Sequence, residues 1–497
     1  MNNGCTVWDL LCSGSDDGLA ITAPERPPIT FDQLRRLTAR IVASLNAKSI
    51  SRNDRVAIVL PNGPDMACTF LGVASGATAA PLNPAYTEDE FTFYLSDIRA
   101  KALIVEAGST SPAIACAKNL GIEIIELEML CSSIASEPIF AKEQDVALVL
   151  HTSGTTSRPK MVPLTQTNIV VSAGNIVRTL ALTASDVNLN IMPLFHIHGL
   201  MAGLLAPLLA GGTVFATPGF NALKFFAWVE RAMPTWYTAV PTMHQAILAR
   251  AERHRDVIGR HPLRFIRSSS SSMPPQVIAE IEATFAAPLI ESYGMTEAAH
   301  QMASNPLPPG RRKPGSVGRP AGPEIAIVDE AGVPQPPGDI GEIAIRGANV
   351  TKGYENNSKA NAEAFANGWF RTGDQGLVDR EGYLTITGRL KEIINRGGEK
   401  VSPREVDEIL MDHPAVAQVV TFSMPHDMLG EEVAAAVVLR DGLAVTESGL
   451  RDFASRHLAA FKVPRKIIFL DEIPKGATGK VQRVGMAQKL GLHQKSI

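Results

Sequence analysis

The stretch from Ala147 to Thr165 contains residue types that bind phosphate. It begins with apolar residues, which predict a buried strand, and continues into a loop of small hydroxylated residues that ends at Lys160. Backbone N–H and side-chain O–H groups in such a loop can point at the same phosphate oxygens, and the lysine adds positive charge. The spacing is not that of a Walker loop. We therefore interpret the loop as a phosphate site, against the alternative of a Ser/Thr-rich surface turn. The candidate residues are Thr152, Ser153, Gly154, Thr155, Thr156 and Lys160.

A second group of polar residues, Glu291–Glu297, follows the predicted buried strand Pro288–Ser292. Open α/β sheets bind ligands where their strands end. Tyr293 offers an aromatic face for a base, Thr296 a hydroxyl for phosphate, and Glu297 a hard oxygen ligand for Mg²⁺. Each residue alone is an ordinary structural residue, but their combination after a strand indicates a nucleotide site.

Two motifs further along the chain indicate a ribose site and a hinge. Asp374 can accept hydrogen bonds from both hydroxyls of a ribose, although a lone Asp after Gly is commonly a turn residue. Arg389 and Lys391 lie where a β-rich region gives way to a mixed one. Such a junction is a natural hinge between domains.

Two motifs of the last region carry glycines beside basic residues. Gly397 and Gly398 would allow the backbone to approach a ligand closely. Lys480 lies in the Gly-rich loop Pro474–Lys480, far along the chain from the other motifs. Without context, the ordinary interpretation of such a lysine is a solvated surface residue.

Composition describes a globular protein without a nucleic-acid or membrane partner. The 497 residues are 45% hydrophobic and 20% charged, and 47 Lys+Arg oppose 50 Asp+Glu. That near-balance does not favour a polyanionic partner. The five scattered cysteines predict free thiols in a reducing cytoplasm. Polar and proline residues interrupt the uncharged stretch from Val187 to Leu223, so we predict a core helix at about Gly199–Leu209 there and no membrane span.

Alternating strand and helix patterns predict an α/β protein with parallel sheets. From Lys313 the chain turns to short β-rich segments, which predict a small β unit to about Gly388. The residues after Lys391 mix helices and strands. Among the predicted elements of the first part are a helix at Phe31–Asn46, strands at Arg55–Leu60 and Ala102–Val105, a helix at about Asn168–Leu182 and a strand at about Val187–Met192.

These motifs, in this order, resemble those of the adenylate-forming superfamily, which comprises acyl-CoA synthetases, luciferases and peptide-synthetase adenylation domains. The similarity runs from about Phe31 to Arg483. It implies an N-terminal AMP-binding domain at 1–389, with two α/β sheets to about 312 and a small β-barrel at about 313–388. A small mobile α+β domain at 390–497 would follow. Met161 and Ser157 depart from the pattern, since many members carry glycine at both positions.

The resemblance also implies a two-step ligase reaction that uses ATP, Mg²⁺ and CoA. Lys480 would be the adenylation lysine, and Thr296, Glu297 and His196 would be the other catalytic residues. The hinge would be Lys391, and Gly397 and Gly398 would line the CoA channel. The implied contacts to nucleotide and metal are the 152–160 loop, Glu291, Ser292, Tyr293 and Thr296 for ATP, Asp374 and Arg389 for its ribose, and Glu297 with Thr152 for Mg²⁺.

Polar residues at the predicted acyl end indicate a substrate with a second carboxylate. Hydroxyl and imidazole groups can partner such a carboxylate, which cannot be buried alone. With the motif sequences, this set looks most like the oxalyl-CoA synthetase branch. The implied oxalate contacts are Ser270 and His300, then His196 and His198, of which His198 is equally well interpreted as a core residue.

Several alternatives remain at this point. The acid could be malonate or a short monocarboxylate, and another class is an aminoacyl-adenylating module that loads a carrier protein. A non-catalytic homologue is disfavoured because Lys480, Glu297 and Asp374 are all present. A monomer and a homodimer are both compatible with the sequence.

Overall fold

The computed structural model describes residues 4–130, 137–152, 159–474, 481 and 483–492. Contacts between residues divide the chain into two compact units. The first unit is Met1–Ser272, Ala279–Glu324 and Ile345–Phe365, and the second is Met273–Ile278, Ile325–Ala344 and Ala366–Ile497.

A six-stranded sheet in the first unit carries the start of the predicted phosphate loop. All neighbouring strands are parallel except the last pair, which is antiparallel. Phe91, Leu95 and Leu103 belong to a fully buried apolar cluster against this sheet. In spatial order the strands are Glu123–Glu126, Ala102–Val105, Arg55–Val59, Thr78–Pro81, Val146–Thr152 and Lys160–Thr165.

A nine-stranded sheet in the first unit carries the second group of predicted site residues. Its central strands are parallel, and antiparallel strands close both edges. The carboxyl ends of the central strands therefore meet at one edge. In spatial order the strands are Arg319–Pro320, His300–Ser304, Leu289–Met295, Phe265–Ser268, Trp236–Ala239, Val187–Asn190, Thr213–Ala216, Leu19–Ala23 and Arg26–Thr30.

Helices connect these strands, and their first residues explain where they begin. Thr30 and Gln33 bond each other's backbone N–H groups at the start of one helix, and Pro64, Pro112 and Pro241 open others, where a missing N–H costs nothing. The helices up to residue 365 are Val7–Leu11, Phe31–Ala47, Pro64–Gly76, Glu88–Asp97, Pro112–Asn119, Leu127–Leu130, Gln166–Thr179, Ile197–Leu200, Met201–Leu205, Ala206–Leu209, Phe225–Ala232, Pro241–Ala251, Glu252–His254, Arg255–Arg260, Pro275–Phe285, Thr296–Ala298 and Ser358–Ala364.

The predicted core helix begins two residues early, at Ile197, and contains a π-helical turn at Met201–Leu205. Pro207 cannot donate the bond that the Gly203 carbonyl would receive in a regular helix. The buried Asn188 side chain donates to that carbonyl instead, at 2.8 Å. The asparagines that interrupted the apolar stretch in sequence are thus partners of the helix backbone.

The second unit contains two five-stranded sheets. In one, Leu384–Arg389 pairs antiparallel with Trp369–Val378. In the other, Val416–His426 and Gly430–Leu439 form a long antiparallel pair over a core that includes Val406 and Leu450. The remaining strands are Glu324–Val328, Gly341–Arg346 and Phe365–Ala366 in the first sheet, and Ile394–Arg396, Glu399–Val401 and Lys466–Phe469 in the second.

The helices after residue 365 are Leu390–Glu392, Pro403–Met411, Glu447–Ser455, Ala460–Lys462 and Met486–Lys489. Within the described ranges, no helix has the length and apolar character needed to cross a bilayer.

We expect Asn188→Ala to lower the free energy of unfolding by about 1–3 kcal/mol, because it leaves the buried Gly203 carbonyl without its donor. Urea and thermal unfolding would measure the loss. Asn119→Ala, at an exposed helix position, is the control and should stay within about 0.5 kcal/mol of wild type. In a Pro207→Ala background, residue 207 has an N–H that can donate to the Gly203 carbonyl. Asn188→Ala should therefore lower the free energy of unfolding by a smaller amount in that background. An equal cost in both backgrounds would contradict the explanation.

Candidate active site

The two ends of the predicted phosphate loop lie side by side. Thr152 ends one strand and Lys160 begins the next, and the two residues are register partners. The Thr152 hydroxyl donates to the Lys160 carbonyl at 3.5 Å. The predicted loop residues Ser153, Gly154, Thr155 and Thr156 lie outside the described residues, so the structure describes only the base of the loop.

Lys160 and Glu297, predicted from separate motifs, meet through Tyr354. The Lys160 ammonium lies 4.4 Å from the centroid of the Tyr354 ring, and the Tyr354 hydroxyl donates to Glu297 Oε1 at 2.8 Å. A cation over a ring face and a hydroxyl on a carboxylate are both favourable contacts. Sequence reasoning missed Tyr354, because it lies between regular elements and outside every motif.

Glu297 is placed as a metal ligand would have to be. It lies in the short helix Thr296–Ala298 and is 6% exposed. Mg²⁺ commonly takes one or two carboxylates and completes its shell with water and phosphate oxygens. A single buried carboxylate, oriented by a tyrosine hydroxyl, fits that coordination.

The strand before this helix is joined to its neighbour by serine side chains. Ser292 Oγ donates to the Ser268 carbonyl at 3.2 Å, and Ser269 Oγ donates to the Ser292 carbonyl at 3.1 Å. Glu291 Oε2 accepts from the Gly315 N–H at 3.3 Å, which gives this predicted ATP contact a structural partner. Tyr293 is also buried.

The four predicted acyl-end residues His196, His198, Ser270 and His300 come together, and we call them the histidine cluster. His198 Nδ1 lies 3.1 Å from Ser270 Oγ, and the rings of His198 and His300 stack with centroids 4.8 Å apart. His196 Nδ1 accepts from the His198 backbone N–H at 3.4 Å. The structure therefore brings together residues that are widely separated in sequence.

Two residues of the histidine cluster have left-handed backbones. Ser270 has φ 74° and His300 has φ 91°. Residues other than glycine hold such conformations only where the surrounding structure enforces them, and these positions concentrate at functional sites. The serine run and the turn after Glu297 are thus shaped to present these two side chains.

Arg267 lies against the histidine cluster and was not among the predicted site residues. Its side chain is fully buried, and its NH1 group donates to Thr238 Oγ1 at 3.3 Å and to His198 Nε2 at 3.4 Å. Burial lowers the pKa of Arg267 to about 9, so the guanidinium is still charged at neutral pH. The signal available in sequence was an arginine that directly follows Phe265 and Ile266 in a predicted strand.

In the second unit, Asp374 and Arg389, which were both predicted as ribose contacts, form an ion pair with each other. They face each other across antiparallel strands, and Arg389 Nε donates to Asp374 Oδ1 at 2.7 Å. The Thr372 hydroxyl accepts from the Asp374 N–H at 3.1 Å and donates to the Ile343 carbonyl at 2.8 Å. The buried carboxylate is therefore held in one orientation.

The predicted hinge and channel residues are exposed in the second unit. Lys391 lies in the short helix Leu390–Glu392. Gly397 and Gly398 form the two-residue turn of the hairpin between Ile394–Arg396 and Glu399–Val401, with φ 59° and 101°. Positive φ at both turn residues suits the twist of a hairpin and explains the glycine pair.

Arg483 connects the short helix Leu390–Glu392 to the core of the second unit. It lies 3.4 Å from Glu392 and 2.6 Å from Asp407 and donates to the Thr421 carbonyl at 2.9 Å. Burial raises the pKa of both carboxyl groups, and the Arg483 charge opposes that rise. This cation thus stabilises the residue that directly follows Lys391.

Comparisons with known proteins agree with this geometry. Residues 14–355 match the AMP-binding enzyme family, and residues 405–480 match the AMP-binding enzyme C-terminal domain. An oxalate–CoA ligase of Arabidopsis thaliana is 47% identical over 92% of each chain. An oxalate–CoA ligase of Saccharomyces cerevisiae is 42% identical over 95% of this chain and 94% of its own. The ATP-bound crystal structure of MatB from Rhodopseudomonas palustris superposes with TM-score 0.91 and 29% identity, covering 98% of this chain and 99% of that one.

We expect Arg483→Gln to destabilise the second unit by about 3 kcal/mol at pH 8, because it leaves two buried carboxylates without their cation. In this variant the folded-state pKa values of Glu392 and Asp407 should lie above their unfolded values. The difference in unfolding free energy between the variant and wild type should therefore shrink as pH falls from about 8 to about 5, because the carboxylates take up protons. Thermal unfolding across that range would measure this. Arg456→Gln, at an exposed position, is the control, and a pH-independent loss in Arg483→Gln would contradict the explanation.

Proposed function

The chain belongs to the family of AMP-binding enzymes, and we propose that it is an ATP-dependent oxalate–CoA ligase. Oxalate, ATP and CoA would give oxalyl-CoA, AMP and pyrophosphate. The observation that carries the proposal is the histidine cluster, a polar group at the acyl end built against the buried charge of Arg267. The oxalate–CoA ligases that resemble this chain over more than nine-tenths of its length support it.

The first step joins two negatively charged reactants, so the protein must offset their repulsion. One oxygen of the acid attacks the α-phosphorus of ATP, and pyrophosphate leaves with the bonding electron pair. Lys160 and Lys480 are the proposed cations for the phosphate oxygens, and Glu297 would hold Mg²⁺. The ion would neutralise phosphate charge as a Lewis acid.

Other predicted residues would hold the nucleotide while the acid reacts. Tyr293 would contact adenine and Asp374 the ribose hydroxyls, with Arg389 keeping the Asp374 carboxylate in place as the ion pair indicates. Thr296 would donate its hydroxyl to the α-phosphate. No side chain becomes covalently attached to substrate in this scheme, so positioning and charge are the protein's contribution.

The second step replaces AMP by the thiol of CoA. The sulfur attacks the acyl carbon, and AMP leaves with the electrons of the broken C–O bond. Residues 390–497 are proposed to reorient about Lys391, withdrawing Lys480 and bringing Gly397 and Gly398 to the CoA channel. Such a motion lets one protein present two sets of groups in sequence.

The identity of the acid follows from the chemistry of the histidine cluster. An alkyl chain would leave buried hydroxyl and imidazole groups without partners, which is costly. A second carboxylate can accept from Ser270 and His300. In oxalate the second carboxylate is bonded directly to the reacting one, which attacks the α-phosphorus. The polar groups that bind the second carboxylate would therefore lie close to the α-phosphate.

A panel of acids tests the proposal. We expect oxalate to give the highest kcat/KM in acid-dependent exchange of labelled pyrophosphate into ATP, ahead of malonate, acetate, propionate, isobutyrate and benzoate. A second carboxylate satisfies the donors of the histidine cluster, which monocarboxylates cannot do. Oxalate places that carboxylate directly beside the reacting one, whereas malonate places it one carbon further away. A higher kcat/KM on a monocarboxylate would reject oxalate as substrate.

The same exchange assay distinguishes oxalate–CoA ligase from the other activities considered. A malonyl-CoA or other short-chain acyl-CoA synthetase would rank its own acid first. An aminoacyl-adenylating module would instead respond to amino acids and would not form a thioester with free CoA.

We expect Lys480→Ala to reduce formation of the oxalyl-adenylate by at least about a hundredfold, because the substitution removes a cation between two anionic groups. Release of pyrophosphate measures this half-reaction. Thioester formation from supplied adenylate should be largely retained. Lys475→Ala, in the same segment of the chain, is the matched control and should affect neither half. Equal losses in both halves for Lys480→Ala would contradict its assignment to adenylation.

A further inference from the structure

Arg267 is a buried cation that the proposed reaction leaves unused. It is 0% exposed in the middle of the nine-stranded sheet. Within the described part of the chain, no carboxylate forms an ion pair with it, and its Nε has no hydrogen-bond acceptor. A buried charge without a counter-ion is costly, so its presence at this position indicates a task that an apolar residue could not perform.

Neutral side chains hold the guanidinium in place. Its NH2 group donates to Gln301 Oε1 at 3.4 Å. Gln301 is itself fixed, since its amide donates to Thr179 Oγ1 and to the Ala321 carbonyl, each at 3.1 Å. The other end of the guanidinium, NH1, is thereby directed at Thr238 and His198.

This arrangement determines which nitrogen of His198 carries hydrogen. Arginine donates hydrogen bonds and cannot accept them. His198 Nε2, which faces NH1 at 3.4 Å, is therefore the unprotonated nitrogen. Thr238 accepts from the same NH1 and lies 2.6 Å from Nε2, so its hydroxyl hydrogen points at Nε2. The hydrogen of a neutral His198 is then on Nδ1.

The hydrogen on Nδ1 in turn sets the direction of the Ser270 hydroxyl. Nδ1–H donates to Ser270 Oγ across 3.1 Å. Ser270 thus accepts from the protein, and its own hydrogen is left for a group outside. Among the described residues, Ser270 Oγ makes its hydrogen bond to His198, and the left-handed backbone at φ 74° fixes where the side chain points.

We infer that Arg267 is a specificity-determining positioning residue that acts through His198 to make the Ser270 hydroxyl a hydrogen-bond donor to the second anionic group of the acid. The inference rests on the proposed function, because it concerns an acid with two anionic groups. Arg267 would not touch that acid. It would select for negative charge by orienting one hydroxyl and by placing a positive charge behind it.

The same arrangement explains why a neutral group would be a poorer partner. A hydrogen bond from a hydroxyl to a charged acceptor is stronger than one to a neutral acceptor. A buried cation also attracts an anion across a medium of low dielectric constant. Both contributions disappear if the second group of the acid is uncharged.

The test compares oxalate with oxamate, which has nearly the same shape but a neutral amide in place of the second carboxylate. Arg267→Met keeps the length of the side chain and removes its charge. We expect the ratio of kcat/KM for oxalate to kcat/KM for oxamate, measured by pyrophosphate exchange, to fall about tenfold or more. KM for ATP should be unchanged, and Arg267→Lys should restore part of the ratio. The control is Arg253→Met, an exposed arginine of the same unit, which should leave the ratio as in wild type.

A second measurement does not depend on turnover. In protein labelled with ¹⁵N-histidine, the His198 signal, identified by its loss in His198→Gln, should report hydrogen on Nδ1 in wild type. Thr238→Val keeps the shape of the side chain and leaves Arg267 in place, but it removes the hydroxyl. This variant should alter the His198 signal and lower the ratio of kcat/KM for oxalate to kcat/KM for oxamate. Hydrogen on Nε2 in wild type would overturn the inference.

The outcomes separate the inference from the proposed function. Suppose that wild type shows oxalate-dependent pyrophosphate exchange but Arg267→Met lowers kcat/KM for oxalate and for oxamate by the same factor. The role of Arg267 is then structural, and the inference is wrong. If wild type shows no oxalate-dependent exchange while another acid supports it, the proposed function and the inference both fail. If Arg267→Met does not fold, the ratio of kcat/KM for oxalate to kcat/KM for oxamate in Thr238→Val tests the inference instead, and an unchanged ratio would contradict it.

Discussion

Repulsion between negatively charged reactants is the constraint that this protein's buried polar groups meet. The first unit gathers Lys160, Tyr354 and Glu297 into one set of contacts. The tyrosine gives both the lysine and the carboxylate a partner within the protein. The lysine and the carboxylate proposed to hold Mg²⁺ can therefore lie close together without neutralising each other by direct contact.

The proposed acyl end places its positive charge differently. Arg267 is buried among neutral partners, and hydrogen bonds carry its influence through Thr238 and His198 to Ser270. Direct contact between a guanidinium and a carboxylate would bind the acid tightly in its ground state. A hydroxyl oriented by a distant charge discriminates between acids without holding the acid in an ion pair. The left-handed backbones of Ser270 and His300 show that the chain accepts local strain to place these side chains.

In the second unit, ion pairs lie on both sides of the proposed hinge. Asp374 pairs with Arg389 on the neighbouring strand, and Arg483 pairs with Glu392 and Asp407. Both sets flank Lys391, the proposed hinge. The contacts on either side of that residue are thus ionic pairs, whereas the interiors of the sheets are apolar. This division suits a segment in which backbone angles change while the flanking elements stay folded.

The sequence by itself determined the family and the fold class, and both are confirmed. It also indicated which polar residues end strands, because local spacing carries that information. It predicted the core helix only approximately, and it did not show that Asn188, a residue of a strand, would donate to the Gly203 carbonyl. Tyr354, Arg267 and Gln301 were not found, because their importance depends on neighbours distant along the chain. Only tertiary structure decided that a buried arginine faces His198, because the side chain of a strand residue acquires its partners when the sheet assembles.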